Sequence, residues 1–154
     1  GVDNMMEKAI ERARDTMNKN YGGPFGAVIV KDGKVIAVSS NTVLLDCDAT
    51  AHAEVNAIRE ASKVLGTHDL SGCVLYATGY PCPMCLSAII WANIKEVYYG
   101  AEVEVAEKIG FRDDFIYEFI KNNNNSAILN LIQLDREKCI ELMNEYKDKD
   151  KFIY

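Results

Sequence analysis

Two short segments hold the residues that could do chemistry. Thr50-Ala51-His52-Ala53-Glu54 sets an imidazole and a carboxylate two positions apart. Further along, Tyr80-Pro81-Cys82-Pro83-Met84-Cys85 sets two thiols three apart at the head of an apolar run. A Cys-x-x-Cys pair alone also fits redox motifs and structural zinc knuckles. One imidazole and two thiolates together make three zinc ligands. They leave a fourth tetrahedral position for water, which marks a catalytic rather than a closed structural site. Glu54 is then not needed for coordination and can move protons. The expectation is one zinc ion per chain, held by His52, Cys82 and Cys85, lowering the pKa of a water from about 15.7 toward about 7 for hydrolytic attack.

The surrounding pattern must bring these groups together. Val55, Ile58, Ala61 and Leu65 recur at helical spacing, so 52–65 reads as a helix with His52 and Glu54 in its first turn and Gly66 as its stop. The run 83–92 reads as a second helix, apolar nearly all round and therefore expected to be fully buried, with Pro83 at its first position. Its positive end favours the thiolates a metal needs. Strands are expected at 27–30, 34–39, 73–78 and 96–100, with Asp32-Gly33 as a hairpin turn and an edge strand over 128–134. Helices are expected over 4–18, with Met6, Ile10, Ala13 and Met17 on its apolar face, and over 113–121 and 135–147. Residues 102–109 read equally as helix or extended chain, and Asn122 to Asn125 as a loop tip. This order predicts a three-layer helix–sheet–helix α/β fold with a five-stranded mixed sheet, in which strand-to-helix turns carry His52 and Cys82 to one edge.

Two further features border these segments. Gly22-Gly23-Pro24-Phe25-Gly26 is a constrained loop that either brings backbone close to another group or simply joins a helix to a strand. Asn41, at the end of the second strand, either lines a pocket or is a turn asparagine.

The 154 residues suit one domain, 1–154, with a sizeable core. No apolar run approaches the roughly 20 residues needed to span a bilayer, which argues against a membrane. No signal-peptide pattern is visible, so the expected location is cytoplasmic. Gly1-Val2 reads as a tag scar or a processed start. A net charge of −6 disfavours a nucleic-acid substrate, because an acidic surface repels phosphates. The five cysteines are expected to be reduced. Cys73 and Cys139 read as packing residues, and Cys47 as a bystander of the metal site. The apolar end Phe152-Ile153-Tyr154 is expected to dock rather than fray.

His-x-Glu followed by Pro-Cys-x-x-Cys is the signature of zinc-dependent nucleobase deaminases. The chain resembles, over nearly its whole length, the bacterial-type guanine deaminases of the cytidine-deaminase superfamily. The likeness rests on 22–30, on both zinc motifs, on Gly110-Phe111-Arg112-Asp113-Asp114-Phe115-Ile116-Tyr117, and on the terminal Tyr154. It implies hydrolysis of guanine to xanthine and ammonia, with Glu54 as proton shuttle. It implies that Asn41 hydrogen-bonds the purine, Phe25 packs on its ring, and His52 and Ala53 also touch it. Asp113, or Asp114 if the register slips by one, would assist proton transfer or amine recognition. Tyr154 would close the site from the neighbouring subunit of a domain-swapped homodimer. The proline that the family carries before the Thr-Ala-His-Ala-Glu motif is replaced here by Asp48-Ala49. The alternatives are a tRNA adenosine deaminase, a deaminase of another small amino-heterocycle such as cytosine or a triazine, and a catalytically silent zinc scaffold. Glu54 argues against the scaffold.

Overall fold

Backbone chemistry sets most element ends. The computed structural model describes residues 2–122 and 125–154, with only the backbone for residues 2 and 3. Gly1, and the Asn123 and Asn124 of the expected loop tip, lie outside the described residues. Helix α1 spans Val2–Asn18. Strands β1, Gly26–Lys31, and β2, Lys34–Ser40, form a hairpin whose turn residues Asp32 and Gly33 have φ of 50° and 78°. Two left-handed residues match the right-handed twist of the flanking strands. A short helix α2, Val43–Asp46, follows, then α3, Ala53–Leu65, which stops where Gly66 turns left-handed at φ 67°. Next come β3, Cys73–Gly79, α4, Pro83–Trp91, and β4, Glu96–Ala101. Helices α5, Val103–Lys108, α6, Asp114–Asn122, and α7, Arg136–Asp148, complete the chain. The ambiguous 102–109 segment is thus helical. Among the described residues no helix is long and apolar enough to cross a membrane. The chain forms two compact units, Gly1–Asp114 and Phe115–Tyr154.

The first unit has three layers around a mixed sheet of order β2-β1-β3-β4. β1 pairs antiparallel with both β2 and β3, and β3 pairs parallel with β4. Alternation along β1 divides its side chains between two cores. Ala27 and Ile29 pack with Ala57, Ala61, Leu75 and Ile89 beneath α3 and α4, whereas Val28 and Val30 pack with Met5, Ala9 and Tyr76 beneath α1. Ile29, Leu75 and Val28 are completely buried, and each such side chain contributes about 1.5–3 kcal/mol. The pairing directions make β2, β3 and β4 run the same way. The chain that follows β2, the chain that follows β3 and the loop that enters β1 therefore meet at one sheet edge.

Several expectations are corrected. The sheet has four strands, not five, because 128–134 forms none. Ile128 and Leu129 are adjacent, as are Leu131 and Ile132, so the period-two pattern of a strand is broken. The amides of Ile128 and Leu129 instead turn back onto the Asn125 carbonyl. α1 buries Met5, Ala9, Ala13 and Thr16 and leaves Ile10 and Met17 partly exposed. Close approach decides which stripe faces inward: a Cβ on Gly26 would lie 2.0 Å from the Ala9 carbonyl oxygen. Only small residues allow α1 to sit that near the sheet. α4 is not fully buried, since it packs through Cys85 and Ile89 and exposes Ile90 and Trp91. Cys139 is exposed rather than packed, while Cys73 is buried.

Candidate active site

His52 and Cys82 occupy equivalent places. Each is the residue immediately before a helix, α3 and α4 respectively, with extended backbone at φ −73°, ψ 156° and φ −67°, ψ 169°. They therefore cap the helices rather than lie in the first turns. Neither side chain caps its own helix amides. Instead both turn toward the sheet edge, where Cys85 joins them from inside α4. Pro83, at the first position of α4, loses no hydrogen bond there.

The His52 Nδ1 lies 3.5 Å from the Cys82 Sγ and 3.6 Å from the Cys85 Sγ. All three donor atoms fall within 4.8 Å of one another. Tetrahedral zinc, with bonds of about 2.3 Å to sulfur and about 2.0 Å to nitrogen, separates nitrogen from sulfur by about 3.5 Å. The donor set therefore fits the ion in both chemistry and spacing. The three groups also shift one another's acidity. The Cys82 thiol is pulled down to about 4, first by a hydrogen bond from Cys85 and then, against burial, by one from His52. Cys85, which donates that bond and is buried beside Glu54, is pushed up. The hydrogen bond to Cys82 raises His52 above its ordinary value. Cys47 is exposed, 3.9 Å from the Leu44 carbonyl, and is not part of the cluster.

Glu54 is 7% exposed, and burial pushes its carboxyl up to about 7. Its charge acts on Cys85, so it stands beside the ligand group without belonging to it. Asp113 is half-buried, and burial, followed by the Cys82 thiolate, raises its pKa. Asp114, by contrast, is tied to Arg112 at 2.8 Å on the surface. Ala53 is fully buried at the head of α3.

Asn41 is 6% exposed at the end of β2. Its Oδ1 accepts from the Val43 amide at 3.1 Å, so the oxygen is engaged and the side-chain nitrogen is the group left to donate. The Gly-Pro loop is more than a connector, because a Cβ on Gly22 would lie 2.3 Å from both Asn41 oxygens. Gly22→Ala is expected to displace Asn41, lowering stability by about 1–3 kcal/mol and raising substrate KM. A thermal melt and KM equal to wild type would show that the loop absorbs the methyl group. Phe25 meets Phe111 edge-to-face at 5.1 Å and lies over Gly79. Tyr154 belongs to the second unit, where it is 82% exposed. Tyr146, in the same unit, hydrogen-bonds the Phe152 carbonyl.

The model of the cytidine and deoxycytidylate deaminase zinc-binding region matches residues 2–101, and that span contains the three-donor cluster and Glu54. The chain belongs to the cytidine and deoxycytidylate deaminase family. Among relatives of this deaminase, guanine deaminase of Bacillus subtilis is 52% identical over 118 residues, 77% of this chain and 76% of that one. The X-ray structure of guanine deaminase from Bacillus subtilis superposes with a TM-score of 0.94 at 41% identity, covering 100% of this chain and 99% of the other. A tRNA-specific adenosine deaminase from Agrobacterium fabrum is 46% identical over 97 residues, 63% of each chain. Zinc is the cofactor of this family, and the deaminase holds a donor set that suits it.

Sequence reasoning missed two residues at this edge, Phe111 and Asn56. Phe111 had no signal beyond membership of the 110–117 segment. Asn56 did have one, because asparagine inside a helix often bonds elsewhere through its side chain.

Proposed function

We propose that this deaminase hydrolyses guanine to xanthine and ammonia. The observation that carries the reading is likeness along the whole chain, second unit included, to a guanine deaminase. The adenosine reading is supported by the 46% identity to a tRNA-specific relative, but over only 63% of the chain. The net charge of −6 also opposes binding to a phosphate backbone.

Zinc held by His52, Cys82 and Cys85 would supply Lewis acidity that makes water nucleophilic near neutral pH. The chain's own groups do the rest. Glu54 takes a proton from the attacking water and delivers it to a purine ring nitrogen. It then helps a second proton reach the exocyclic amine as the C–N bond breaks and ammonia leaves. Burial suits it to both directions by placing its carboxyl near neutrality. Asp113 assists at the amine, a role favoured over Asp114 because Arg112 already engages Asp114. Asn41 donates to the purine, Phe25 packs on its ring, and the Ala53 and His52 segment forms its floor.

Residues 1–154 work as one catalytic domain, and the C-terminal segment is exchanged between two copies so that Tyr154 closes the partner's site. The apolar end supports this, since Phe152, Ile153 and Tyr154 are each more than two-thirds exposed in one copy. Deleting Phe152 to Tyr154 is expected to cut kcat/KM by about 10- to 100-fold while leaving the melting temperature nearly unchanged. Wild-type kinetics in the truncated chain would remove the closing role.

The direct test incubates the zinc-loaded protein with guanine, cytosine and an adenosine-containing anticodon stem-loop in parallel. Ammonia release with the ultraviolet change to xanthine, from guanine alone, is the expected result. Turnover of either other substrate with none of guanine overturns the assignment.

A further inference from the structure

Asn56 lies one helical turn into α3, beyond His52, and its side-chain nitrogen reaches three acceptors on two separate segments. It donates to the Ser40 carbonyl at 2.9 Å and the Thr42 Oγ1 at 2.9 Å, with the Ala51 carbonyl at 3.3 Å. Ser40 and Thr42 are the two neighbours of Asn41, and Ala51 immediately precedes His52. The Thr42 amide also donates to the Ala51 carbonyl at 3.0 Å, so the two segments already touch where Asn56 binds them. The Asn56 backbone amide donates to the His52 carbonyl at 2.9 Å, which ties the same residue to the start of α3.

We propose that Asn56 is a positioning residue that holds the purine-contacting Asn41 in register with the metal-binding His52. A side-chain amide suits this task because its nitrogen carries two hydrogens and can serve carbonyls on both sides. Without it, the Thr42–Ala51 bond is left to link the residues beside Asn41 to the residue before His52, although the Asp48 amide still reaches the Val43 carbonyl at 3.2 Å farther along. The Asn41 donor then wanders relative to the ligand cluster, while the cluster, built from the starts of α3 and α4, stays assembled. The effect should therefore fall on substrate binding rather than on metal or chemistry. This rests on the reading of Asn41 as a purine contact.

Asn56→Asp keeps the shape of the side chain and replaces its donor with oxygen that repels the Ser40 and Ala51 carbonyls, while the Thr42 hydroxyl already donates to Asp46. It is expected to raise KM for guanine about tenfold, with kcat within about twofold of wild type and zinc content unchanged. Asn41→Ala should also raise KM, and adding Asn56→Asp to it should raise KM no further, because residues acting through one another are non-additive. Thr42→Val, which removes one acceptor and spares Asn56, should raise KM about threefold. It decides the matter if Asn56→Asp does not fold. Unchanged KM in Asn56→Asp, or in Thr42→Val where that variant is decisive, overturns the proposal. So does loss of zinc, or full additivity with Asn41→Ala. If Asn41→Ala is silent while Asn56→Asp is not, the reading of Asn41 has failed and the proposal falls with it. If Asn41→Ala raises KM and Asn56→Asp does not, only the proposal fails.

Discussion

Glu54→Gln is expected to bind zinc at the wild-type ratio and to turn guanine over about 10³-fold more slowly. Glu54 is 7% exposed and stands beside Cys85, so a truncation would leave a void, whereas the amide fills the same volume. Glutamine cannot take a proton from water or return one to a ring nitrogen. Both transfers in the proposed reaction pass through this one group, which is buried where Asp113 is only half-buried. The loss should appear in kcat, with KM for guanine little changed, since Glu54 acts mainly in the transition state. Metal analysis accompanies the kinetics. A kcat within tenfold of wild type would sink the shuttle role, and loss of zinc together with activity would recast Glu54 as structural support.

Cys85→Ser should lose both metal and activity. Cys85 is completely buried, and its Sγ stands 3.6 Å from the His52 Nδ1. Serine offers a harder oxygen that does not ionise near neutral pH, on a shorter bond, and the fold holds the helix start in place. Zinc affinity should fall at least about 100-fold, beyond what loss of a mere supporting contact costs. Stability gives an independent readout. A ligand present at a thousand times its dissociation constant stabilises the native state by about 4 kcal/mol. The melting temperature of the wild-type protein should therefore rise with zinc and drop with a chelator, whereas that of Cys85→Ser should respond much less to either. A variant that retains stoichiometric zinc would show that Cys85 is not a ligand.

What could be read from the residue order alone was whatever depends on a residue's own backbone preference or on donor chemistry. Asp32-Gly33 demanded a tight hairpin, Gly66 ended α3, Pro83 opened α4, and two thiols, an imidazole and a spare carboxylate pointed to a hydrolytic zinc site. Each of these is a local property, so neighbouring residues suffice to state it. Relations between distant segments were not legible in this way. α1 could bury either of two adjacent stripes, and only the close approach of the Ala9 backbone to Gly26 selected Met5, Ala9 and Ala13. α4 is apolar on every side, so its composition could not say that Ile90 and Trp91 would face outward. The 128–134 segment had apolar residues, but adjacent pairs at Ile128-Leu129 and Leu131-Ile132 break the period-two pattern, and a strand exists only with its partner. Asn41 and the Gly-Pro loop each allowed a bland alternative until the 2.3 Å approach to Gly22 joined them. Asn56 gains its meaning only when Ser40, Thr42 and Ala51 converge on it. The order of residues thus decided which chemistry the chain can hold. Packing decided which groups meet to perform it, because contacts between remote segments depend on shape complementarity that no single stretch contains.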